Sequence, residues 1–150
     1  MFRLGVSALI INNKQQLLVV NLNSFEDRYF AVPGGGVDQG ETLEEAVYRE
    51  LDEELNIKPQ DLELVGQSDT PVRFTFKVIE LNRDGQSYIG SERYFFGFRL
   101  LSTGQEIRPK DGEVRRYEWV SWDQLQNYLL FDNQLEETLE KLQELFPEFK

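Results

Sequence analysis

The sequence contains neither cysteine nor histidine among its 150 residues. Without cysteine the chain can form no disulfide and no thiolate metal site, and without histidine it lacks the commonest general base and zinc ligand. Any catalysis must therefore depend on carboxylates, hydroxyls, lysine, arginine or a bound metal ion.

Long hydrophobic runs are also missing. No segment approaches the roughly 20 apolar residues that a membrane-spanning helix requires. The first residues, MFRLGVSALIINNK, lack the small-residue cleavage pattern of a signal peptide. We therefore predict a cytoplasmic protein without a membrane partner, in which residues 1–150 form a single domain.

Basic residues are few, since 16 lysines and arginines face 27 acidic residues and the net charge is −11. This surplus disfavours binding to long nucleic acid, which relies on a basic surface. It also repels any phosphate-containing substrate, so a divalent cation and a few local basic residues would have to reverse the field at a phosphate site.

The pattern of apolar and turn residues predicts strands at residues 4–11, 16–22, 29–32, 72–81, 91–101 and 114–120, with turns at 12–14 and 82–85. Helices are expected at 42–55, from Ser121 or Asp123 to 130, and from a cap at Asp132 to just before Pro147. Strands and helices are mixed without strict alternation. The expected fold class is therefore α/β (α+β), with a mixed β-sheet between helices.

The helix expected at 42–55 opens with a capping box, Thr42 and Glu45. At about 100° per residue, one side of this helix is apolar and carries Leu43, Ala46, Val47 and Leu51. Glu50 and Glu54 fall among these residues, with Glu53 at their edge. Clustered carboxylates that turn toward a core repel each other and lose hydration, so they need protons or cations.

Two interpretations of this helix are open. A glutamate-rich helix is usually a solvated surface helix, and a glycine-rich turn is usually only a turn. Alternatively, Mg²⁺ stabilises the carboxylates, because it prefers oxygen ligands, and carbonyls of the segment Pro33-Gly34-Gly35-Gly36-Val37 complete its shell. Arg49 is expected to pair with at most one of the three glutamates.

Gly35, Glu41 and residues 49–57 resemble the Nudix box, G-x5-E-x7-R-E-U-x-E-E-x-G-U, in which U is a bulky aliphatic residue. Every specified position matches except the last glycine, which is Asn56 here. Asparagine is the next-best residue for the left-handed conformation that ends a helix, so we expect Asn56 to cap it.

The resemblance implies the Nudix fold and the hydrolysis of a phosphoric anhydride bond, with water attacking phosphorus and Mg²⁺, or alternatively Mn²⁺, as cofactor. The implied metal ligands are the Gly34 carbonyl, Glu50, Glu53, Glu54 and Glu113. By the same resemblance, Arg49 orients the glutamates and Glu41 steadies the junction between loop and helix. The catalytic base is either Glu53 or Glu113.

Outside the box, the chain is similar to RNA pyrophosphohydrolases and diadenosine tetraphosphate hydrolases in the Nudix superfamily. The similar segments are residues 116–122, 88–96 and 72–74. Two features depart from that pattern: the glutamine and lysine of the 88–96 strand are not clearly retained, and no glutamine follows Pro33. With the charge of −11, these departures favour a small nucleotide partner over RNA beyond a 5′ end.

Basic residues that could neutralise the substrate are Arg3, Arg28, Arg73, Lys77 and Arg93. We single out Arg28, Arg73 and Arg93 as substrate-binding candidates, although each could equally be a solvated surface residue. Three functions remain open: hydrolysis of dinucleoside polyphosphates or 5′-triphosphate ends, hydrolysis of nucleoside triphosphates or nucleotide sugars, and a catalytically silent binding module. The retained Arg49 and box glutamates disfavour the last.

Overall fold

The computed structural model describes residues 1–81, 85, 87–101 and 106–149, with the side chains of 76–81 outside the description. Within this part the strands are β1 (Phe2–Ile11), β2 (Gln16–Leu22), β3 (Gly34–Gly36), β4 (Leu62–Gln67), β5 (Val72–Leu81), β6 (Ser87–Leu100) and β7 (Val114–Ser121). The helices are α1 (Leu43–Leu55) and α2 (Gln134–Leu145), with 3₁₀ helices at Pro59–Asp61 and Trp122–Asn127. None of the helices described is long and apolar enough to cross a bilayer.

The strands form one mixed sheet in the order β4-β6-β1-β2-β7, with β3 added to β1 and β5 added to β6. β1 runs parallel to β6, from Phe2 opposite Gly90 to Ile11 opposite Arg99. The other pairings are antiparallel. β1 is therefore central, and it brings β3 and β6 close to each other.

Each face of the sheet carries its own core. On one face, Val6, Ala8 and Phe98 pack in a cluster with Ala46, Val47, Leu51 and Leu55 of α1. On the other, Leu9 and Phe95 pack with Leu142 of α2 and with Phe146 and Phe149. The sheet thus lies between α1 and α2, which confirms the predicted fold class.

Both ends of α1 form as the sequence predicts. At the start, the Glu45 amide donates to Thr42 Oγ1 at 3.1 Å and the Thr42 amide donates to Glu45 Oε1 at 2.8 Å. At the end, Asn56 adopts the left-handed conformation at φ 59°. Its amide donates to the Asp52 carbonyl, which is the bond of the αL capping motif, and the Ile57 amide donates to the Leu51 carbonyl.

Several predicted elements differ in the structure. The strand expected at 29–32 is wrong, because only Ala31 makes an isolated bridge, to Val20, and the strand lies at Gly34–Gly36. β4 was not predicted, since only its first residue is fully buried and the alternation is lost. The turn predicted at 82–85 lies, apart from Gly85, outside the described residues.

The C-terminal elements also need correction. The helix expected to run to residue 130 is a 3₁₀ helix that ends at Asn127. Asn133, not Asp132, is the N-cap of α2, and it adopts φ 65° without a side-chain capping bond. Asn133 is one of the residue types that tolerate the left-handed region, so the chain turns there before the helix begins.

Candidate active site

Glycines of β3 bring the backbone directly against a carboxylate of α1. A Cβ atom added to Gly35 would lie 2.3 Å from Glu50 Cδ, so only glycine leaves room for this carboxyl group. Val6 and Gly35 form a hydrogen-bonded pair of the antiparallel ladder. Gly34 and Gly36 therefore occupy non-hydrogen-bonded positions, and their carbonyls point away from β1. The outer edge of β3 thus carries the Gly34 and Gly36 carbonyls, and the latter accepts a hydrogen bond from Arg49.

Arg49 connects the glycine strand to four carboxylates, of which Asp38 is the most distant at 3.5 Å. Its guanidinium donates to both oxygens of Glu41, at 2.7 and 2.9 Å, and to the Gly36 carbonyl at 2.9 Å. It also contacts Glu50 at 3.0 Å and Glu53 at 3.3 Å. The expectation that Arg49 pairs with at most one of the three helix glutamates is therefore wrong, because the guanidinium carries five donors in a fork.

Glu41 stabilises the segment between β3 and α1. Its Oε1 accepts from the Asp38 amide at 2.9 Å while both oxygens bind Arg49. The hydrogen bond from Arg49 lowers the pKa of Glu41, and the same bond raises the pKa of Arg49. Both groups thus remain charged, and the pair fixes the loop relative to the helix.

Glu54 lies half-buried against Glu50, and the two carboxyl groups share a hydrogen bond. Burial, followed by contact with Glu50 and the charge of Glu113, raises the pKa of Glu54 to about 9, although Arg93 partly opposes this rise. The side chain of Glu50 is only 14% exposed. Two carboxyl groups in such a site hold a proton between them unless a cation replaces it.

Glu113 reaches this pair because its loop docks on the end of α1. The amides of Arg108 and Lys110 donate to the carbonyls of Leu55 and Glu54, both at 2.8–2.9 Å. Glu113 lies 3.2 Å from the Lys110 ammonium and acts electrostatically on Glu54. The final carbonyls of α1 therefore position the loop that carries the fourth carboxylate.

The donor set fits a hard divalent cation, because it consists only of carboxylate and carbonyl oxygens. Glu53 is 51% exposed, and it shares Nη1 of Arg49 with Glu50. The described residues contain no group of three or more histidine, cysteine or acidic side chains already arranged around one point. The structure places Glu50 and Glu54 in contact, with Glu53 next to them on Arg49 and Glu113 within electrostatic range of Glu54.

Comparison with known proteins identifies the fold and the family. A family model described as NUDIX domain matches residues 1–142. The chain belongs to the Nudix family. Nudix hydrolases generally use a divalent metal ion, and this chain is a hydrolase that acts on pyrophosphate bonds.

Among curated Nudix relatives, an RNA pyrophosphohydrolase of Halorhodospira halophila (strain DSM 244 / SL1) is 31% identical over 138 residues, which cover 89% of this chain and 75% of that protein. Among solved structures, the E. coli dihydroneopterin triphosphate pyrophosphohydrolase has a TM-score of 0.72 at 15% identity and covers 93% and 96% of the two chains. A C. elegans Ap4A hydrolase binary complex has a TM-score of 0.64 at 17% identity and covers 92% and 97%. At identities of 17% and 15%, these two structures show that the chain has the Nudix fold and say nothing about its substrate.

The predicted substrate arginines of this Nudix domain lie in different places. Arg28 is exposed and stacks on the Tyr29 ring at 5.1 Å. Arg73 pairs with Glu92 at 2.8 Å and covers the Phe2 ring. Arg93 lies closest to the glutamates, whose charges act on it.

Arg93 is embedded beside β1, where its Nη1 donates to the Val6 carbonyl at 3.1 Å and contacts Ser7 Oγ at 3.4 Å. Burial, and then the neighbouring charge of Arg3, lowers its pKa. Arg3, the remaining candidate with a described side chain, is exposed and packs on Gly36. Lys77 has its side chain outside the described residues.

One polar side chain near these arginines was missed by the sequence reasoning. Ser91, directly opposite Arg3 in the β1–β6 pairing, is 5% exposed. The alternation of β6 could have indicated it, because Ser91 precedes Arg93 by two residues and therefore shares its face of the sheet.

Proposed function

We propose that this chain cleaves a phosphoric anhydride bond in a nucleotide 5′-polyphosphate, either a dinucleoside polyphosphate or a 5′-triphosphate end, with Mg²⁺ as its ion. One observation carries the proposal. Glu50 and Glu54 lie together against the bare backbone of Gly35, within electrostatic reach of Glu113. Such a cluster of oxygen donors is costly without a cation and suits Mg²⁺.

We assign metal binding, orientation of the glutamates and proton transfer to different side chains. Glu50, Glu53, Glu54 and Glu113, with the Gly34 carbonyl, would hold the ion, which would polarise a phosphoryl oxygen and lower the pKa of a bound water. Arg49 keeps Glu50 and Glu53 oriented, and Glu41 keeps Arg49 in place through a two-point contact. Either Glu53 or Glu113 accepts the proton of the attacking water.

Two properties of the chain bear on the substrate. The likeness to RNA pyrophosphohydrolases at about 30% identity supports a 5′-triphosphate end. The net charge of −11 favours a short substrate such as a dinucleoside polyphosphate, because each further phosphate of an RNA is repelled. The cytoplasmic localisation and the single domain of residues 1–150 remain predictions from the sequence.

A substrate panel with Mg²⁺ tests the proposal. It includes diadenosine tetraphosphate, triphosphorylated RNAs of 2, 5 and 20 nucleotides, nucleoside triphosphates and nucleotide sugars. We expect hydrolysis of the first two classes, with kcat/KM falling as the RNA lengthens at low salt. Preference for a nucleotide sugar would overturn the substrate assignment, and no turnover with any divalent ion would favour a binding module.

A further inference from the structure

An asparagine near the end of β2 is a polar residue in an otherwise apolar buried strand. Asn21 follows four buried apolar residues, Leu17–Val20, and is itself 0% exposed. A buried side-chain amide destabilises a fold unless its polar atoms find partners. The contacts of Asn21 therefore determine what this residue contributes.

The side-chain amide of Asn21 uses its full hydrogen-bonding capacity. Its Nδ2 donates to the carbonyls of Glu26, at 3.0 Å, and Tyr29, at 2.7 Å. Its Oδ1 accepts from Nη1 of Arg115 at 2.6 Å and from Nη1 of Arg116 at 3.3 Å. A side-chain amide has two N–H donors and two acceptor lone pairs, so these four bonds use all of them. Asn21 thus connects the loop after β2, residues 23–30, to the start of β7.

A β-bulge brings both arginines to the same oxygen atom. The pairing of β2 with β7 shifts after Asn21, which leaves Arg115 as an extra residue in β7. Consecutive residues of a regular strand point to opposite faces, whereas the side chains of Arg115 and Arg116 both reach Asn21. Bulges are frequent next to active sites, where they redirect a side chain. This bulge lies two residues after Glu113.

The backbone of Glu113 belongs to the same network. Its carbonyl accepts from the Asn23 amide at 2.9 Å, and Nη2 of Arg115 donates to the Asn23 carbonyl at 3.4 Å. The loop that carries Glu113 is therefore bound to α1 at residues 108 and 110, and to the loop after β2 at residue 113. Two separate segments of the chain thus set the position of this glutamate.

The loop after β2 is itself fixed at several points. Arg116 forms an ion pair with Asp27 at 2.8 Å, and the Phe30 amide donates to the Tyr128 carbonyl at 3.2 Å. Asn21 makes two bonds to this loop and two to the arginines of β7. Removing the Asn21 side chain would therefore loosen the loop and both arginines together.

We propose that Asn21 is a positioning residue that fixes Glu113 at the end of α1, through Arg115 and the Asn23 amide. The inference rests on the proposed function, because Glu113 is assigned there to the Mg²⁺ ion or to the proton of the attacking water. Asn21 is buried and acts through Glu113. Removing its side chain should therefore have an effect on the site only when the Glu113 carboxylate is present.

Mg²⁺ binding, measured by calorimetry without nucleotide, tests the inference in a double-mutant cycle. Asn21→Ala should weaken Mg²⁺ binding about ten-fold, the lower end of the range for residues that orient a metal ligand. In the Glu113→Gln background the same substitution should have no further effect. Equal losses of affinity in both backgrounds, or no loss in the wild-type background, would overturn the inference.

Asn12→Ala is the matched control at the opposite end of β2. The Asn12 side chain also holds a turn, since its Oδ1 accepts from the amides of Lys14 and Gln16, both at 3.0 Å. Asn12→Ala should lower the unfolding temperature and leave Mg²⁺ binding unchanged. If both asparagine variants lose the same Mg²⁺ affinity, the effect comes from stability and the inference is wrong.

Arg115→Gln provides a second variant that burdens the fold less, because the Arg115 side chain is 38% exposed. It removes the guanidinium that joins Asn21 to Asn23. Mg²⁺ binding should weaken in the wild-type background and stay the same in the Glu113→Gln background. If Asn21→Ala does not fold, this second cycle decides, and additive losses in it would refute the proposed role.

Hydrolysis of the substrate panel separates this inference from the proposed function. If Asn21→Ala lowers kcat and leaves KM unchanged, both stand. If the wild type hydrolyses the panel and Asn21→Ala changes neither kcat nor Mg²⁺ binding, the inference is wrong and the function stands. If the wild type hydrolyses nothing but its Mg²⁺ affinity depends on Asn21 through Glu113, the function is wrong and the positioning role stands. A rise in KM alone would assign the loop after β2 to substrate binding and overturn the inference.

Discussion

The helices α1 and α2 resemble each other in composition but differ in the charged side chains that they remove from solvent. Both are amphipathic and rich in glutamate, but the glutamates of α2 at 136, 140 and 144 are exposed. The charged group that α2 buries is Lys141, whose ammonium donates to the Thr70 carbonyl at 2.8 Å. In α1 the carboxylates of Glu50 and Glu54 are half-buried and lie in contact with each other.

The difference shows that helical spacing of glutamates does not define a site. Spacing places carboxylates on one face, but their partners determine what they do. In α1 the partner is a strand of three glycines, which leaves the carboxylates beside backbone oxygens. In α2, Glu136 and Glu140 are exposed to solvent, and Glu144 accepts from the Asp69 amide and pairs with Lys141.

Replacing one glutamate in each helix by glutamine should give the largest difference in kcat between the two helices. Glu53→Gln should lower kcat by several orders of magnitude, roughly 10³–10⁴-fold, because it removes a proposed ligand or base. Glu140→Gln in α2 should leave kcat unchanged. Near-normal turnover by a folded Glu53→Gln protein would show the metal-site assignment to be wrong.

Glu113→Gln determines which carboxylate is the base. If the loop glutamate accepts the proton, kcat should fall about 10²–10⁴-fold. The bond between Lys110 N and the Glu54 carbonyl does not involve the side chain, so the loop should stay docked. A loss of only a few-fold, with KM unchanged, would leave Glu53 as the base.

Gly35→Ala tests whether the close contact between the glycine strand β3 and Glu50 is what makes α1, unlike α2, part of the active site. The new Cβ would lie 2.3 Å from Glu50 Cδ, so the carboxyl group must move. A displacement of about 1 Å can cost roughly 10² in rate. Gly66→Ala is the control, since its Cβ would only meet Leu145 at 3.7 Å. Equal activities of both variants would argue against the contact.

The smallest expected effect concerns the helix starts. Thr42→Ala removes the capping box of α1 and should lower the free energy of unfolding by about 1 kcal/mol. Asn133→Ala in α2 removes no capping bond. Any decrease in the free energy of unfolding of this variant would therefore come from the φ of 65° at residue 133. Urea unfolding measures both, and an unchanged stability of Thr42→Ala would contradict the assigned cap.

The sequence predicts α1 well because its signals are local. Thr42, Glu45 and Asn56 specify the two ends, and the apolar period specifies the buried side. The position of β3 could not be predicted, because Gly34–Gly36 have no side-chain pattern and become a strand only by pairing with β1.

The site shows the same division between local and long-range signals. The box glutamates follow from their spacing, whereas the contacts of Arg49 with Gly36 and Glu41 depend on how the loop folds back. Ser91, whose hydroxyl has no hydrogen-bond partner among the described residues, lies opposite Arg3 only through the register of β1 on β6. Register depends on contacts that are distant in sequence, and composition does not reveal them.

Unfolding of the protein with and without Mg²⁺ tests most directly whether the carboxylates of α1 hold the ion. At 100 times the dissociation constant, Mg²⁺ should raise the free energy of unfolding by about 2.7 kcal/mol. Glu140→Gln should keep this increase and Glu54→Gln should lose most of it. An equal increase in both variants, or none in the wild type, would contradict the account.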